Sequence, residues 1–276
     1  MQRPLKSGSW SVRKKLIVLI MALTLPSFGL LISAHLARRN TQIQSAARNV
    51  QLLVESLATQ QEEVSHESKM MLTTLARLPE VQRLDAEACR QIFQDLIEQY
   101  PFYTTIGLAT PDGNLYADAK PFSSGKVNLS EQKHIQDAIR TRDFSVGEYI
   151  VGKVSKLPTL HYSYPVVDPD GTLRGVVIAG FNLNEYASFV TNAGLPENSA
   201  VSIVDHKGVR LYRFPENSAA SPGKPIPEDA LAEMSGEMDG GMFERVSDDG
   251  IQRLYVFKRL HLSAGVSPYL YVLAGI

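Results

Sequence analysis

The sequence has little of what catalytic and metal sites require. It contains a single cysteine, Cys89, which excludes an internal disulfide framework and any metal site built on several cysteines. Its six histidines show no HExxH motif or other metal-ligand spacing. GxSxG, P-loop and GxGxxG motifs are also absent, so neither a serine hydrolase nor a nucleotide-binding enzyme is indicated. We therefore expect no catalytic residues, no metal and no cofactor, and a chain that is not an enzyme.

Acidic residues are absent from residues 1–15, which contain five basic residues. The remaining residues contain 23 basic and 29 acidic side chains. This body is mildly acidic, whereas a protein that binds nucleic acid needs a basic face. The composition therefore excludes nucleic acid as a partner.

Charged residues are absent from Leu16–Ala34, a run of nineteen residues that can cross a hydrocarbon layer of ~30 Å as a helix. Because the basic residues of 1–15 precede this run, the positive-inside rule places the N-terminus in the cytoplasm and the later residues outside it. The alternative is a cleaved signal peptide, but the run is too long and lacks a well-placed pair of small residues for cleavage. We expect a single-pass anchor in the inner membrane, with residues 1–15 cytoplasmic and the main domain periplasmic or extracellular.

Glycine and proline are both absent from residues 30–78, and residues 35–80 are predicted to form one long stalk helix. Apolar residues recur at every seventh position of this stretch: Leu36, Ile43, Val50, Leu57, Val64, Met71 and Leu78. Such spacing keeps one apolar stripe on a single face of a slightly underwound helix, although polar residues interrupt the companion seam. Two interpretations remain open. The helix packs along its own domain, or part of the Leu36–Leu78 stripe also forms a parallel homodimer.

Beyond residue 80 the apolar pattern changes from helical to strand-like. In residues 81–190, a short helix capped by Asp85 precedes a set of strands with one further helix. These are strands Thr104–Ala109 and Leu115–Ala117, helix Ser130–Arg140, and strands Phe144–Val151, Thr159–Val167 and Leu173–Asn182. The same layout recurs in residues 191–276. It comprises strands Ala200–Val204 and Val209–Arg213, helix Pro227–Met234, and strands Gly241–Val246, Gln252–Arg259 and Tyr269–Ala274.

This order predicts an α+β fold, in which one N-terminal transmembrane helix and a long stalk helix are followed by two tandem PAS-like lobes of antiparallel sheet. The membrane-distal lobe would occupy residues 81–190 and the membrane-proximal lobe residues 191–276. The distal lobe is the larger, as expected if it holds a pocket.

The order and spacing of four segments resemble the double Cache (dCache) family of extracytoplasmic sensors. The segments are IGLATPDGNLYAD (106–118), LSEQKHIQDAIRTRDFSVGEYIVGK (129–153), LHYSYPVVDPDGTLRGVVIAGFNL (160–183) and SAVSIVDHKGVRLYRF (199–214). Together with the anchor and the long helix, the likeness covers roughly residues 16–276. The family serves chemoreceptors, histidine kinases and diguanylate cyclases. The resemblance implies that the distal lobe binds a small molecule and that the proximal lobe relays the change.

The sequence departs from the pattern of family members that bind amino acids. Members of that subgroup carry an Arg-x-Trp-Tyr motif on the pocket helix, whereas the corresponding stretch here is Gln132-Lys133-His134-Ile135. Its Tyr-x-Asp on the next strand corresponds to Tyr149-Ile150-Val151, and its acidic residue for the ligand amine falls at Gly180. No arginine is present at this place to clamp a carboxylate. We therefore expect a small-molecule ligand other than a free α-amino acid.

The resemblance and strand alternation together suggest the ligand contacts. If Gly180 lines the pocket, Asn182 lies on the same side of its strand. On the preceding strand, either His161 with Ser163 or Tyr162 with Tyr164 faces the pocket, and the sequence does not choose between these pairs. The predicted ligand-binding residues are Tyr116, Gln132, Lys133, His134, Tyr149, His161, Tyr164, Gly180 and Asn182. Each also suits an ordinary packed or rim residue, because tyrosine and histidine are commonly half-buried.

Two functions from different classes remain open. The first is a sensor module, in which case a complete receptor would continue past Ile276 into a second membrane helix and a kinase, cyclase or chemoreceptor output. The second is a periplasmic binding or assembly subunit that is anchored once and docks a protein partner without signalling.

Overall fold

The computed structural model describes residues 12–123, 127–191, 195, 198–236, 238–263 and 265–276. Side chains are described from residue 47 onward, except that of Ala219, and for three earlier residues. The chain forms two compact units, residues 1–48 and residues 49–276. The lobes and cavities considered below all lie in the second unit.

Three helices precede the first strand, and single helices then separate groups of two or three strands. The helices are α1 Val12–Leu75, α2 Pro79–Gln82, α3 Ala86–Gln99, α4 Lys133–Thr141, α5 Tyr186–Thr191 and α6 Glu228–Met234. The strands are β1 Tyr103–Ala109, β2 Leu115–Asp118, β3 Ser145–Val151, β4 Pro158–Val167, β5 Leu173–Asn182, β6 Ala200–Asp205, β7 Arg210–Phe214, β8 Gly240–Val246, β9 Gln252–Leu260 and β10 Leu270–Gly275. Short 3₁₀ helices occupy Leu183–Glu185 and Ser218–Ala220.

The strands form two five-stranded antiparallel sheets with the same strand order. Sheet 1 runs β2-β1-β5-β4-β3 and sheet 2 runs β7-β6-β10-β9-β8. We call sheet 1 with α3 and α4 the first lobe, and sheet 2 with α6 the second lobe. The prediction of an α+β fold with two tandem antiparallel lobes is therefore confirmed.

Each sheet has one face toward the core that contains α1 and one face toward a short helix. On β5, Val177 and Phe181 belong to the core with α1, whereas Ile178 packs with Ile135 of α4. The second lobe repeats this arrangement between α1 and α6. Because side chains alternate along a strand, odd-numbered residues of β5 face the core that contains α1, and even-numbered residues face α4.

The buried face of α1 differs from the predicted seven-residue stripe. Val50 and Leu57 are buried as expected, but Val64 and Met71 are only half-buried. The line of buried residues passes instead through three polar side chains, Gln61, Ser65 and Ser68. The physical reason is that a straight helix has 3.6 residues per turn, so a strict seven-residue repeat drifts by about 20° per heptad.

In residues 50–76, α1 packs against its own domain. This is the first of the two interpretations of the helix, and the homodimer remains a prediction. The side chains of Leu36 and Ile43 lie outside the described part of the chain.

Within the described residues, no helix combines the length and apolar character needed to cross a membrane. The backbone of the predicted anchor segment, Leu16–Ala34, is part of α1. Almost all of its side chains lie outside the described part of the chain. Residues 1–11, in the segment predicted to be cytoplasmic, also lie outside it.

Candidate functional site

A small cavity, the first cavity, lies on the α4 face of sheet 1, beside the start of α4. Outside the loop that covers it, four polar residues line this cavity: Thr105, Asp118, Gln132 and His161. Its remaining walls are Leu115, Leu129, Ile178 and the loop residues 152–155. The cavity has a volume of about 20 Å³, enough for about one water molecule. A metabolite can therefore enter only if part of the wall moves.

Two stacked histidines form one side of this site. The rings of His134 on α4 and His161 on β4 lie 4.8 Å apart and are inclined by 11°. Nε2 of His134 lies 2.6 Å from Oε1 of Gln132, and its Nδ1 lies 2.6 Å from Oγ of Ser163. Because the Gln132 oxygen only accepts hydrogen bonds, Nε2 carries the proton, and Nδ1 accepts from the Ser163 hydroxyl. His134 is thus fixed as one neutral tautomer.

Both imidazoles are buried, and burial favours their neutral form. Burial lowers the pKa of His134 well below its usual value, and His161 lowers it further. Burial also lowers the pKa of His161 to about 4. Nδ1 of His161 is buried and has no hydrogen-bond partner among the described residues. An unpaired buried polar atom is costly, so this nitrogen is available for a ligand atom.

Asp118 supplies the buried carboxyl group of the cavity. It is 1% exposed, and it accepts hydrogen bonds from the Thr105 hydroxyl and from the backbone N–H of Lys120, the latter at 2.8 Å. Burial raises the pKa of Asp118 to about 6, although both hydrogen bonds oppose the shift. No ion pair to Asp118 is found among the described residues. Near neutral pH the cavity therefore holds a carboxylate that forms no ion pair with any described residue, although Lys120 lowers its pKa from a distance and Lys153 lines the same cavity.

The loop between β3 and β4, residues 152–157, covers the cavity, and we call it the cover loop. A hydrogen bond of 2.9 Å from Gly152 N to Leu157 O closes its base. Val154 packs into the apolar cluster behind the cavity, and Nζ of Lys153 donates to the carbonyl of Asn128. Four residues of this loop, 152–155, form a wall of the cavity that belongs to neither sheet.

Three of the predicted ligand-binding residues meet at this site. Gln132 and His161 line the cavity, and His134 contacts both. The open question about β4 is answered by the hydrogen bonds. Ser163 bonds to His134 on the α4 side, whereas the Tyr162 hydroxyl accepts from Gln61 of α1 at 2.8 Å.

Three predicted tyrosines lie elsewhere. The Tyr116 hydroxyl donates to Leu84 O at 2.8 Å, because a register shift between β1 and β2 turns Tyr116 outward. Tyr164 packs on the opposite face of sheet 1, against the core that contains α1. Tyr149 lies against the second lobe, where its backbone N–H donates to Asp205 at 3.3 Å.

The other three predicted residues have local roles. Lys133 forms an ion pair with Asp137. The side chain of Asn182 caps the following 3₁₀ helix by accepting from Asn184 N at 3.2 Å. Gly180 packs closely against threonines, and a Cβ there would lie 2.7 Å from Cγ2 of Thr159. None of these three lines the first cavity.

Sequence reasoning missed Thr105, Asp118 and the cover loop. The signal for Asp118 was present, because an acidic residue ends a short strand between apolar neighbours. The cover loop has no periodic pattern that would mark it. Within the described residues no group of three or more His, Cys, Asp or Glu side chains could hold a metal ion.

Comparisons with known proteins agree on the fold. A family model described as a Cache domain matches residues 35–274. No curated protein matches this sequence.

Several solved structures have the same fold. The extracellular domain of rpHK1S-Z16, described as a candidate histidine kinase, superposes with a TM-score of 0.65 at 16% identity, over 87% of this chain and 95% of that one. The ligand-binding domain of the Campylobacter jejuni chemoreceptor Tlp3, solved with L-valine, has a TM-score of 0.59 at 14% identity, over 86% and 92%. The ligand-binding domain of the Pseudomonas aeruginosa amino acid chemoreceptor PctC, solved with GABA, has a TM-score of 0.56 at 16% identity, over 83% and 96%.

Proposed function

This chain belongs to the Cache-domain family, and from that premise we propose that it is the extracytoplasmic ligand-sensing part of a signalling receptor. Its ligand binds in the first cavity, between Asp118 and His161. The observation that carries this proposal is the unpaired Nδ1 of His161, buried in the same cavity as a carboxyl group that forms no ion pair among the described residues. Buried polar atoms are ordinarily paired, so this combination favours a binding site over ordinary packing.

The chemistry of the cavity indicates a ligand that donates hydrogen bonds and carries positive charge, such as a small amine. Asp118 offers a carboxylate, and neutral His161 offers an acceptor nitrogen. The structures with L-valine and GABA belong to other receptors. For this chain we propose a ligand other than a free α-amino acid, because Gln132 stands where an arginine would clamp the carboxylate, and Lys153 is engaged by Asn128.

The proposed signal path runs from sheet 1 to α1. His161 and Tyr162 are neighbours on β4, one facing the cavity and the other hydrogen-bonded to Gln61. A ligand that draws β4 toward α4 changes how the opposite face of the sheet packs on α1. Such a ligand biases an existing equilibrium between two packings of the helix.

We also propose that the lobes are tethered to the inner membrane by a single helix at Leu16–Ala34, with residues 1–15 in the cytoplasm. The support is the sequence itself, in which an uncharged run follows a basic segment. The other candidate function is that of an anchored subunit that docks a protein partner, and the experiment below distinguishes it from ligand sensing.

The test is a thermal-shift screen of the full chain against small amines, amides and carboxylates, followed by calorimetry with each compound that binds. We expect an amine to raise Tm and His161→Phe to weaken its affinity by about tenfold to a hundredfold, because one buried hydrogen bond to the ligand is lost. Tyr116→Phe is the matched control, since it alters a predicted residue that lies outside the cavity.

Equal losses in the two variants would contradict the assignment of the cavity. A screen in which no compound stabilises the chain, while a periplasmic protein binds it tightly, would favour the docking function instead.

A further inference from the structure

A second cavity lies in the second lobe at the position that corresponds to the first. The two sheets share one strand order, so β7 corresponds to β2 and the loop after β8 corresponds to the cover loop. This second cavity lies between sheet 2 and α6 and has a volume of about 20 Å³. Its chemistry is the reverse of that of the first cavity.

Three arginines line the second cavity: Arg210, Arg213 and Arg245. Arg210 and Arg213 are three residues apart on β7, and regular alternation would place them on opposite faces. A register shift in β7 instead pairs Arg213 with Ser202 and Arg210 with Val204, two residues of β6 that share one face. Both guanidinium groups therefore enter the layer beneath α6.

Arg210 and Arg245 have acidic partners. Arg210 forms an ion pair with Asp248 and donates to Pro225 O at 2.7 Å. Arg245 forms an ion pair of 3.1 Å with Asp229. These contacts account for the charges of two of the three arginines.

Arg213 forms no ion pair of its own among the described residues, because the nearby Asp249, whose pKa it helps to lower, is bound through both oxygens by Arg253. Arg213 is 4% exposed, and its Nη1 donates a hydrogen bond of 3.3 Å to the Ser202 hydroxyl. Its Nε and Nη2 are buried and have no hydrogen-bond partner in the described part of the chain. These two N–H groups point from the same edge of the guanidinium plane. That edge matches the two oxygens of a carboxylate, which it binds in a bidentate pair.

The surroundings add to the positive charge at this edge. Burial lowers the pKa of Arg210, and Asp248 opposes this shift, whereas Arg213 and Arg245 increase it. Buried N–H groups without an acceptor are costly, and both carboxylates near Arg213 are already bound, Asp248 by Arg210 and Asp249 by Arg253. Ser247 and Tyr255 also line the cavity and hydrogen-bond to each other through their hydroxyls at 2.6 Å.

We propose that the second cavity is a binding site for a small carboxylate, which occupies the free edge of Arg213. The site is separate from the one proposed for the amine ligand, and it does not depend on that function. The fork geometry favours a planar carboxylate over a spherical anion. With a volume of about 20 Å³, room for one water molecule, the cavity must widen to admit any carboxylate, and it must widen less for formate or acetate than for the larger tetrahedral phosphate.

The experiment measures Tm and binding heats of the full chain with sodium formate and sodium acetate, at constant ionic strength maintained with sodium chloride. We expect a saturable rise in Tm with either carboxylate. Inorganic phosphate and added chloride should produce no saturable rise.

Two substitutions locate the site. Arg213→Lys keeps the charge but removes the fork, and it should weaken carboxylate affinity on the order of tenfold. Arg213→Met removes the buried charge, so it should abolish the response to carboxylate while raising Tm of the ligand-free chain. Arg140→Met is the matched control, because the Arg140 side chain is 71% exposed, and its response should equal that of the wild type.

The proposal is overturned if formate and acetate give no saturable shift, or if phosphate and chloride give the same shift. It is also overturned if Arg213→Lys binds carboxylate as the wild type does. A lower Tm of ligand-free Arg213→Met would mean that Arg213 has a structural role only. His161→Phe should respond normally to carboxylate, which separates failure at this site from failure at the first.

Discussion

At the scale of single residues, burial in the first cavity shifts the pKa values of Asp118 and His161 in opposite directions. The two shifts have opposite effects on how stability depends on pH. Burial raises the pKa of Asp118 from 3.8 to about 6. Burial lowers the pKa of His161 from 6.5 to about 4. Folded Asp118 therefore binds a proton that the unfolded chain has lost, whereas folded His161 releases one that the unfolded chain keeps. Between pH 4 and 6, Asp118 makes stability fall as pH rises, and His161 makes it rise.

Asp118→Asn should remove the first of these two effects. Relative to the variant, the wild type should lose on the order of 3 kcal/mol of unfolding free energy as pH rises from about 4 to 6, and little more above that. The measurement is urea denaturation of both proteins, without ligand, at several pH values. Only their difference reports on Asp118, because the histidines titrate in the same range.

Asp112→Asn provides the control for this experiment. The pKa of the exposed Asp112 is lowered below 3.8, mainly by a hydrogen bond from Thr110. Asp112 therefore titrates at a lower pH than the range from 4 to 6 in which Asp118 is tested. A pH profile of Asp118→Asn that runs parallel to the wild type would mean that Asp118 is not a buried titrating group.

The sequence predicted part of this site and missed part of it for a definable reason. Regular alternation would put Tyr116 and Asp118 on the same face of β2, but only Tyr116 is among the predicted ligand-binding residues. In the structure Ala117 pairs with Leu108 and Leu115 with Ala109, which leaves Tyr116 in a bulge. The bulge sends Asp118 inward and Tyr116 outward. A bulge depends on pairing between strands, which one strand's sequence does not contain.

At the scale of elements, α1 is joined to both lobes by tyrosine hydroxyls. Nε2 of Gln61 donates to Tyr162 at 2.8 Å, and the Tyr186 hydroxyl donates to Oε1 of Gln61. Ser65 bonds to Tyr269 at 3.0 Å. A hydrogen bond of 2.8 Å joins Ser68 to Tyr103. Because Ser68 already donates to Val64 O, the tyrosine is the donor in this last pair.

Gln61→Leu should destabilise the protein by about 1–3 kcal/mol, because it leaves the buried Tyr186 hydroxyl without its acceptor. Urea denaturation measures the change. Gln51→Leu makes the same chemical substitution on the exposed side of α1 and should alter stability by less than about 0.5 kcal/mol. Equal effects of the two variants would show that the polar line on α1 carries no net stabilisation.

The apolar periodicity of residues 36–78 predicted a helix that the structure shows as far as Leu75, but it misplaced the buried face. A pattern of apolar residues reports burial only where the neighbouring layer is also apolar. Here the facing strands carry tyrosines, so glutamine and serine occupy the core of the contact. Polar core positions of this kind become visible only with the partner strands in place.

At the scale of the whole folded unit, the two lobes also meet through a polar contact beside their shared apolar core. Glu148 of β3 forms an ion pair of 2.8 Å with Lys207 and lies 3.5 Å from His206. Nearby, the Tyr149 ring lies against Gly223, where a Cβ would be 2.8 Å from Cε1 of the tyrosine. Gly223 thus combines a close approach between the lobes with a φ of +84°.

Gly223→Ala should destabilise the protein by about 1–2 kcal/mol for the backbone conformation and by about 1–3 kcal/mol more for the clash with Tyr149. Gly250→Ala is the matched control, since its φ is +79° and nothing lies within 4 Å of its Cβ position. Urea denaturation measures both.

Tyr149→Ala in the Gly223→Ala background should recover the clash component. If the two alanine variants are equally unstable, the packing between Tyr149 and Gly223 is too loose to couple the lobes.

The continuous core has a consequence for how the molecule breaks down. One apolar cluster contains residues of both sheets and of α1, so neither lobe holds a complete interior by itself. Neither lobe should therefore unfold while the other stays folded. Proteolysis of an unfolded segment and amide exchange in the strands should report the same opening of both lobes. Local opening is confined to loops such as 152–157, and the rest of residues 49–276 should behave as one cooperative foldon.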